Sequence, residues 1–147
     1  MTMLNQGNSN DIHYLVIDKK QTLWALKEEF NKWFPFLKIE FFHEKINKNV
    51  RNPKNLLIQT NELICHLQEK QLIGKIPFSL STTVKEIEEA FLQEYGLYMQ
   101  VFRKSGNIWL ETTTTNDWTL AMQNEEGRCI AEYLSSEKDH ENILDAL

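Results

Sequence analysis

Apolar residues recur along this chain in two rhythms, and each change of rhythm marks a new element. His13-Tyr14-Leu15-Val16-Ile17 is rich in β-branched and aromatic side chains and predicts a strand. Leu23, Leu26, Phe30, Trp33 and Phe34 follow at spacings of three and four, so residues 22–34 predict an amphipathic helix that Pro35 ends. Leu37, Ile39 and Phe41 then alternate with Lys38 and Glu40, the pattern of a strand with one buried face. The same order returns after Gly74. Ile76-Pro77-Phe78-Ser79-Leu80 predicts a strand that Pro77 keeps short or confines to an edge. Thr83 opens a helix with Val84, Ile87, Phe91 and Tyr95 on one face, Gly96 closes it, and Leu97, Met99 and Val101 alternate after it.

The two β-α-β stretches align. At an offset of 61, Thr22, Leu23, Leu26, Phe30 and Phe34 fall on Thr83, Val84, Ile87, Phe91 and Tyr95. At an offset of 60, Leu37, Ile39, Phe41 and Phe42 fall on Leu97, Met99, Val101 and Phe102. Fixed-period self-similarity of this kind points to an internal duplication, although any two amphipathic β-α-β units with equal helix lengths would match as well. Each half extends further. In the second, Arg103 to Asn107 is a turn with Gly106 able to take positive φ, joining the preceding strand to Ile108-Trp109-Leu110-Glu111-Thr112-Thr113 as a hairpin. Asn116 or Asp117 caps a helix through Trp118, Leu120 and Met122 that resumes after Gly127 with Ile130, Tyr133 and Leu134. In the first, Asn55 to Gln59 reads as a strand, and a capped helix runs from Asn61 through Leu63, Ile64 and Leu67.

The expected fold is therefore α+β: a two-layer α/β sandwich from two tandem β-α-β-β-α units, ferredoxin-like in character, most simply sharing one sheet. Two side-by-side lobes would explain the repeat as well. Residues 1–147 form one domain, with a loose terminus at 1–10, a first repeat at 11–74, a second at 75–134 and a tail at 135–147 that is either a short helix or frayed.

Two stretches carry a resemblance. Phe102 to Gly127, FRKSGNIWLETTTTNDWTLAMQNEEG, resembles a segment of a family of uncharacterised bacterial proteins, and Thr22 to Phe42, TLWALKEEFNKWFPFLKIEFF, resembles the amino-terminal half of the same family. Trp109 and Trp118 make the Phe102 to Gly127 segment fairly specific. The resemblance covers about a third of the chain and implies a shared fold, with no activity, ligand or catalytic residue attached.

Composition narrows the function classes. At 147 residues, 41% apolar and 25% charged, the chain is long enough to bury roughly 70% of its unfolded surface without a disulfide or metal. Cys65 and Cys129 lie far apart, outside any Cys-x-x-Cys pair, and are expected to be packing residues. The first residues are polar, and no run reaches the ~20 apolar residues of a membrane span, so a cytoplasmic protein without a membrane partner is expected. The net charge of −5 disfavours a nucleic-acid partner. The acidity belongs to the second half: residues 1–74 carry a net +2 and residues 75–147 a net −7.

Specific chemistries find little purchase. There is no Gly-x-Ser-x-Gly, and Cys65 and His66, as neighbours on a helix, point in different directions. His13, His43, His66 and His140 are scattered without metal-ligand spacing, and His43-Glu44 is the one compact donor pair. Glu86, Glu88, Glu89 and Glu94 decorate the outer face of a helix and are expected to keep ordinary pKa values. The five glycines never cluster into a phosphate loop, and Arg103-Lys104-Ser105-Gly106 offers at most a hairpin tip with two cations. No cofactor and no catalytic residue is expected.

The feature that stands out is Thr112 to Thr115. On a hairpin's second strand, four threonines would leave an uncharged edge open to strand addition; as a loop, they would only lead into the next helix. Trp24, Trp33, Trp109 and Trp118 are numerous; Trp33 lies on the apolar helix face, whereas Trp24, Trp109 and Trp118 are contact candidates. The expected function is a noncatalytic interaction or adaptor module that meets a protein partner, or itself, through Arg103, Lys104, Trp109, Thr113, Thr115 and Trp118, with Trp24 beside them. The alternative is a small-ligand-binding domain or enzyme with a pocket between the repeats, its convergent polar groups drawn from His43, Glu44 or Arg103.

Overall fold

Helix boundaries follow local chemistry closely. In the computed structural model, which describes residues 10–18, 20–46, 53–64 and 73–145, the first helix α1 spans Leu23–Trp33 and the second, α2, spans Val84–Tyr95. The Thr22 side chain accepts from the Ala25 N–H at 3.3 Å. Thr83 and Glu86 make a reciprocal capping box, two 3.1 Å bonds that satisfy donors the first turn would otherwise leave open. Gly96 ends α2 at φ +64°, a left-handed conformation that any Cβ would strain. Residues 1–9 of the expected loose terminus lie outside the described residues, as do Cys65, His66 and Leu67 of the helix expected from Asn61.

Among the described residues five strands run around these helices: β1 His13–Asp18, β2 Leu37–Phe42, β3 Ile73–Phe78, β4 Tyr98–Ser105 and β5 Ile108–Glu111. The fold is α+β, but the one shared sheet expected from the sequence is replaced by two antiparallel sheets, β1-β3 and β2-β4-β5. Strands of the first half pair with their counterparts in the second. Leu15 lies opposite Ile76, and Glu40 opposite Gln100. Pro77 is tolerated because a two-stranded sheet has only edges. α1 packs on β1 and β2, and α2 on β3 and β4, so both sheets feed one apolar cluster that includes Leu15, Phe30, Phe41, Phe78, Phe91 and Val101. Burial of such aromatic and aliphatic side chains, each worth about 1.5–3 kcal/mol, is the main stabilising term.

The start of each helix is held the same way. Leu23 and Trp24 donate backbone N–H to Glu62 and Thr60, while Ile64 donates to Gln21, at 3.0, 2.8 and 3.0 Å. Val84 and Lys85 donate to Trp118 and Asn116, while Leu120 donates to Thr82, at 3.1, 2.8 and 2.8 Å. Thr22 bridges Leu63 as Thr83 bridges Thr119.

Four boundaries differ from the sequence reading, each for a local reason. β3 stops at Phe78 because Ser79 to Thr82 form a hydroxyl-bonded turn, with the Ser79 N–H donating to the Thr82 hydroxyl at 2.8 Å. The strand expected at Asn55 to Gln59 is a 3-10 turn, Pro53–Leu56, with a single bridge from Leu57 to Phe42. β5 ends at Glu111, where the buried Thr112 hydroxyl donates to the Val101 carbonyl at 2.8 Å and turns the chain into the 3-10 segment Thr113–Thr115. The third helix α3 begins at Leu120, with Thr119 rather than Asn116 or Asp117 accepting from the Met122 N–H at 3.1 Å.

α3 runs unbroken from Leu120 to Asp145, through Gly127 and into the expected tail. Gly127 sits where the helix presses on the chain before β2; a Cβ there would stand 2.7 Å from the Phe36 Cβ. From Glu132 onward the described helix is exposed. Cys129, expected to be buried, is exposed on it, since the docked side of α3 is taken by Leu120, Gln123, Asn124 and Gly127. Among the described residues no helix is long and apolar enough to cross a membrane.

Candidate functional site

The hairpin residues singled out from the sequence separate into two groups. Arg103, Thr115 and Trp118 are half-buried and face α3. The Arg103 guanidinium donates to Gln123 Oε1 at 2.8 Å and lies over the Trp118 ring at 5.8 Å. Gln123 is fully buried, and its amide donates to the Thr115 carbonyl and hydroxyl oxygens at 2.9 and 2.8 Å. Among the described residues Arg103 Nε has no hydrogen-bond partner. These three residues thus anchor the start of α3.

Lys104, Trp109 and Thr113 face outward. Trp109 is half-buried beneath two cations, with Lys38 Nζ 5.0 Å and Lys104 Nζ 5.9 Å from its ring centre. Thr113 is exposed and accepts from the Gln100 amide at 3.3 Å. Trp24 is 58% exposed on α1, apart from the hairpin. Trp33 is packed against the core, its ring 4.0 Å from His13.

Elsewhere lies a cleft of about 270 Å³, where the two halves meet. The first half supplies Phe42 at the end of β2 with Lys45 and Ile46 just beyond it. The second supplies Tyr98, Met99 and Gln100 of β4, the flank of α2, and Thr113 and Asn116 from the turn after β5. The α2 flank follows from helical geometry. Val84, Ile87, Phe91 and Tyr95 point into the core, so Lys85, Glu88, Glu89 and Leu92 form the shoulder beside it. Phe42, Leu92 and Met99 give the cleft apolar walls, and Gln100, Thr113 and Asn116 give it neutral hydrogen-bonding groups.

Glu88 is the distinctive group in this lining. It stands half-buried on that shoulder, without a hydrogen bond or ion pair among the described residues. Burial, which penalises the charged carboxylate, pushes its pKa up to about 8. The sequence, which put Glu86, Glu88, Glu89 and Glu94 mostly on the outer helix face, offered no reason to expect a raised pKa; for Glu88 the half-buried position overturns that expectation. No local signal set it apart, because Glu86 and Glu88 both flank the core residue Ile87 and Glu86 is exposed. His43 and Glu44 are exposed and, with Arg103, stand outside the cleft lining. Among the described residues no three histidine, cysteine or acidic side chains are gathered to hold a metal ion. Comparisons of the chain with family models, with curated proteins and with solved structures gave no match.

Proposed function

We propose that this protein is a noncatalytic binding domain that holds a small ligand in the cleft between its two halves. The observation that carries this reading is the composition of the cleft: apolar walls from both halves around a few neutral donors and acceptors and one sequestered acid. Its described lining has no histidine, serine or cysteine, a set suited to holding a molecule rather than to covalent catalysis. The test is native mass spectrometry of the protein purified from its own cells. A bound small molecule is expected on the natural chain, and Gln100→Trp, which fills the cleft, should lose it. A natural chain free of ligand, or equal retention by the variant, would overturn the reading.

A second reading, contact with a protein partner or a second copy through the hairpin, is favoured by β5. Its Ile108 is 59% exposed, Leu110 is exposed as well, and β5 pairs only with β4 among the described residues. An open edge carrying apolar side chains is a site for strand addition. With the threonines held in a 3-10 turn, the edge at issue is β5 itself, flanked by Lys104, Trp109 and Thr113. Ile108→Lys should abolish recovery of a cross-linked partner; unchanged recovery would exclude this surface.

We further infer that the chain is built from two tandem β-α-β units, each with its own extension, in a ferredoxin-like two-layer arrangement. The pairing of Leu15 with Ile76 and of Glu40 with Gln100 supports it, because those partners are separated by the 61- and 60-residue offsets of the sequence alignment. So do the matched bonds at the starts of α1 and α2. The reading takes the chain as a bacterial protein of the cytoplasm, a reducing compartment that suits the exposed free thiol of Cys129.

A further inference from the structure

A half-buried carboxyl group beside apolar walls, with no cation among the described residues paired to it, has one natural complement. An isolated buried charge is costly, and a hydrogen-bonded counter-ion removes most of that cost. Glu88 is such a group. The lysines of the described lining do not serve: Lys85 on α2 and Lys45 beyond β2 are exposed, and neither forms an ion pair with Glu88. The other titratable groups of the described lining are Glu89 on α2, also exposed, and Tyr98 on β4, half-buried. Charges at a solvated rim are screened by water and salt, while one inside the cleft is screened far less.

We propose that the cleft selects a small organic cation, an amine on an apolar body, with its ammonium against the Glu88 carboxylate and its body against Phe42, Leu92 and Met99. The inference rests on the cleft being a ligand seat and names the ligand's chemistry. The side-chain oxygens of Gln100 and Asn116 supply further acceptors for an N–H donor. A cleft of about 270 Å³ lies at the small end of ligand sites, which suits a molecule of roughly ten non-hydrogen atoms. The proton balance is definite. The free acid is protonated below pH 8, the ammonium arrives with its own proton, and the complex forms as the Glu88 carboxyl releases one proton to solvent.

The experiment is a titration of the full ¹⁵N-labelled chain, followed by amide chemical shifts at pH 6, 7 and 8, with three probes of one shape. These are 2-phenylethylamine, the neutral 2-phenylethanol and the anion phenylacetate. The amine should move the amides of Met99, Gln100 and Thr113, and at pH 8 bind at least ~10-fold tighter than the alcohol. Its Kd should fall by about 10-fold from pH 6 to 7 and flatten near pH 8. Glu88→Gln should bring amine and alcohol to similar affinity and abolish the pH dependence, while retained alcohol binding shows that the cleft is intact. An alcohol that binds as tightly as the amine, tightest binding by the anion, or an amine affinity independent of pH would overturn the cation assignment and leave the ligand seat standing. Failure of all three probes to move any cleft amide would overturn both.

Discussion

Glu88 shows how one position on a helix acquires unusual chemistry. Its neighbours in sequence, Glu86 and Glu89, are exposed, whereas Glu88 borders the core and is largely cut off from water. The sign of its effect on stability follows. Because its folded pKa of about 8 lies above the ordinary 4.5, the folded state binds the proton more tightly than the unfolded state does. Stability from this group is fully present below pH 4.5 and is lost as pH rises through 8, at up to about 1.4 kcal/mol per unit. Glu88→Gln cannot ionise and should be close to neutral at pH 5, yet more stable than the natural protein by on the order of 3 kcal/mol at pH 9. Urea unfolding midpoints across that range would check it, and a constant difference between the two proteins would contradict it.

At the scale of elements, α3 departs most from local expectation. A glycine in mid-helix is usually a weak point, and replacing it with alanine usually stabilises by up to about 1 kcal/mol. At Gly127 the reverse is expected. The helix comes so close to Phe36 that a methyl group meets its Cβ at 2.7 Å and the Lys104 carbonyl at 3.3 Å, while Asn124 accepts from the Phe36 N–H at 2.9 Å alongside. Gly127→Ala should destabilise by about 1–3 kcal/mol, the cost of overpacking a tight contact. Thermal unfolding of that variant would decide the matter, and a raised Tm would show that α3 docks more loosely. The docking region ends near Leu134, whose Cδ1 would stand 3.1 Å from a Cβ at Gly106 of the hairpin turn. Beyond it the helix carries Glu137, Asp139, Glu141 and Asp145 against Lys138 alone, so its outer turns are an acidic, solvated surface.

At the scale of the whole molecule, the two halves are interdependent. Among the described residues β1 pairs only with β3, and β2 finds its ladder in β4, so neither half contains a completed sheet. A lone half would expose strand edges and the apolar faces that now share one core. Residues 1–70 and 71–147 made as separate chains should each lack a cooperative unfolding transition and recover it when mixed, as followed by circular dichroism. A cooperative transition in either half alone would refute this interdependence. The cleft obeys the same logic, because Phe42, Lys45 and Ile46 come from one half and its remaining lining from the other.

What the sequence by itself determined was whatever depends on neighbours within a turn or two. The opening of α2 at Thr83, the buried faces of α1 and α2, the turn glycines Gly96 and Gly106, and the alternation in β2 and β4 were all legible, because helical and strand periods are set by backbone geometry. Short bonds also decided two misread boundaries, at Ser79–Thr82 and at Thr112, but their partners had to be in place first. Only tertiary structure decided the rest. Which strands pair, that five strands make two sheets, that Gly127 is a point of close approach, and that Arg103, Thr115 and Trp118 hold α3 all depend on residues brought together from distant parts of the chain. The cleft belongs to that second class. A carboxyl group's pKa reflects the water around it, and that water is removed from Glu88 by the packing of surfaces, which no local pattern of residues encodes.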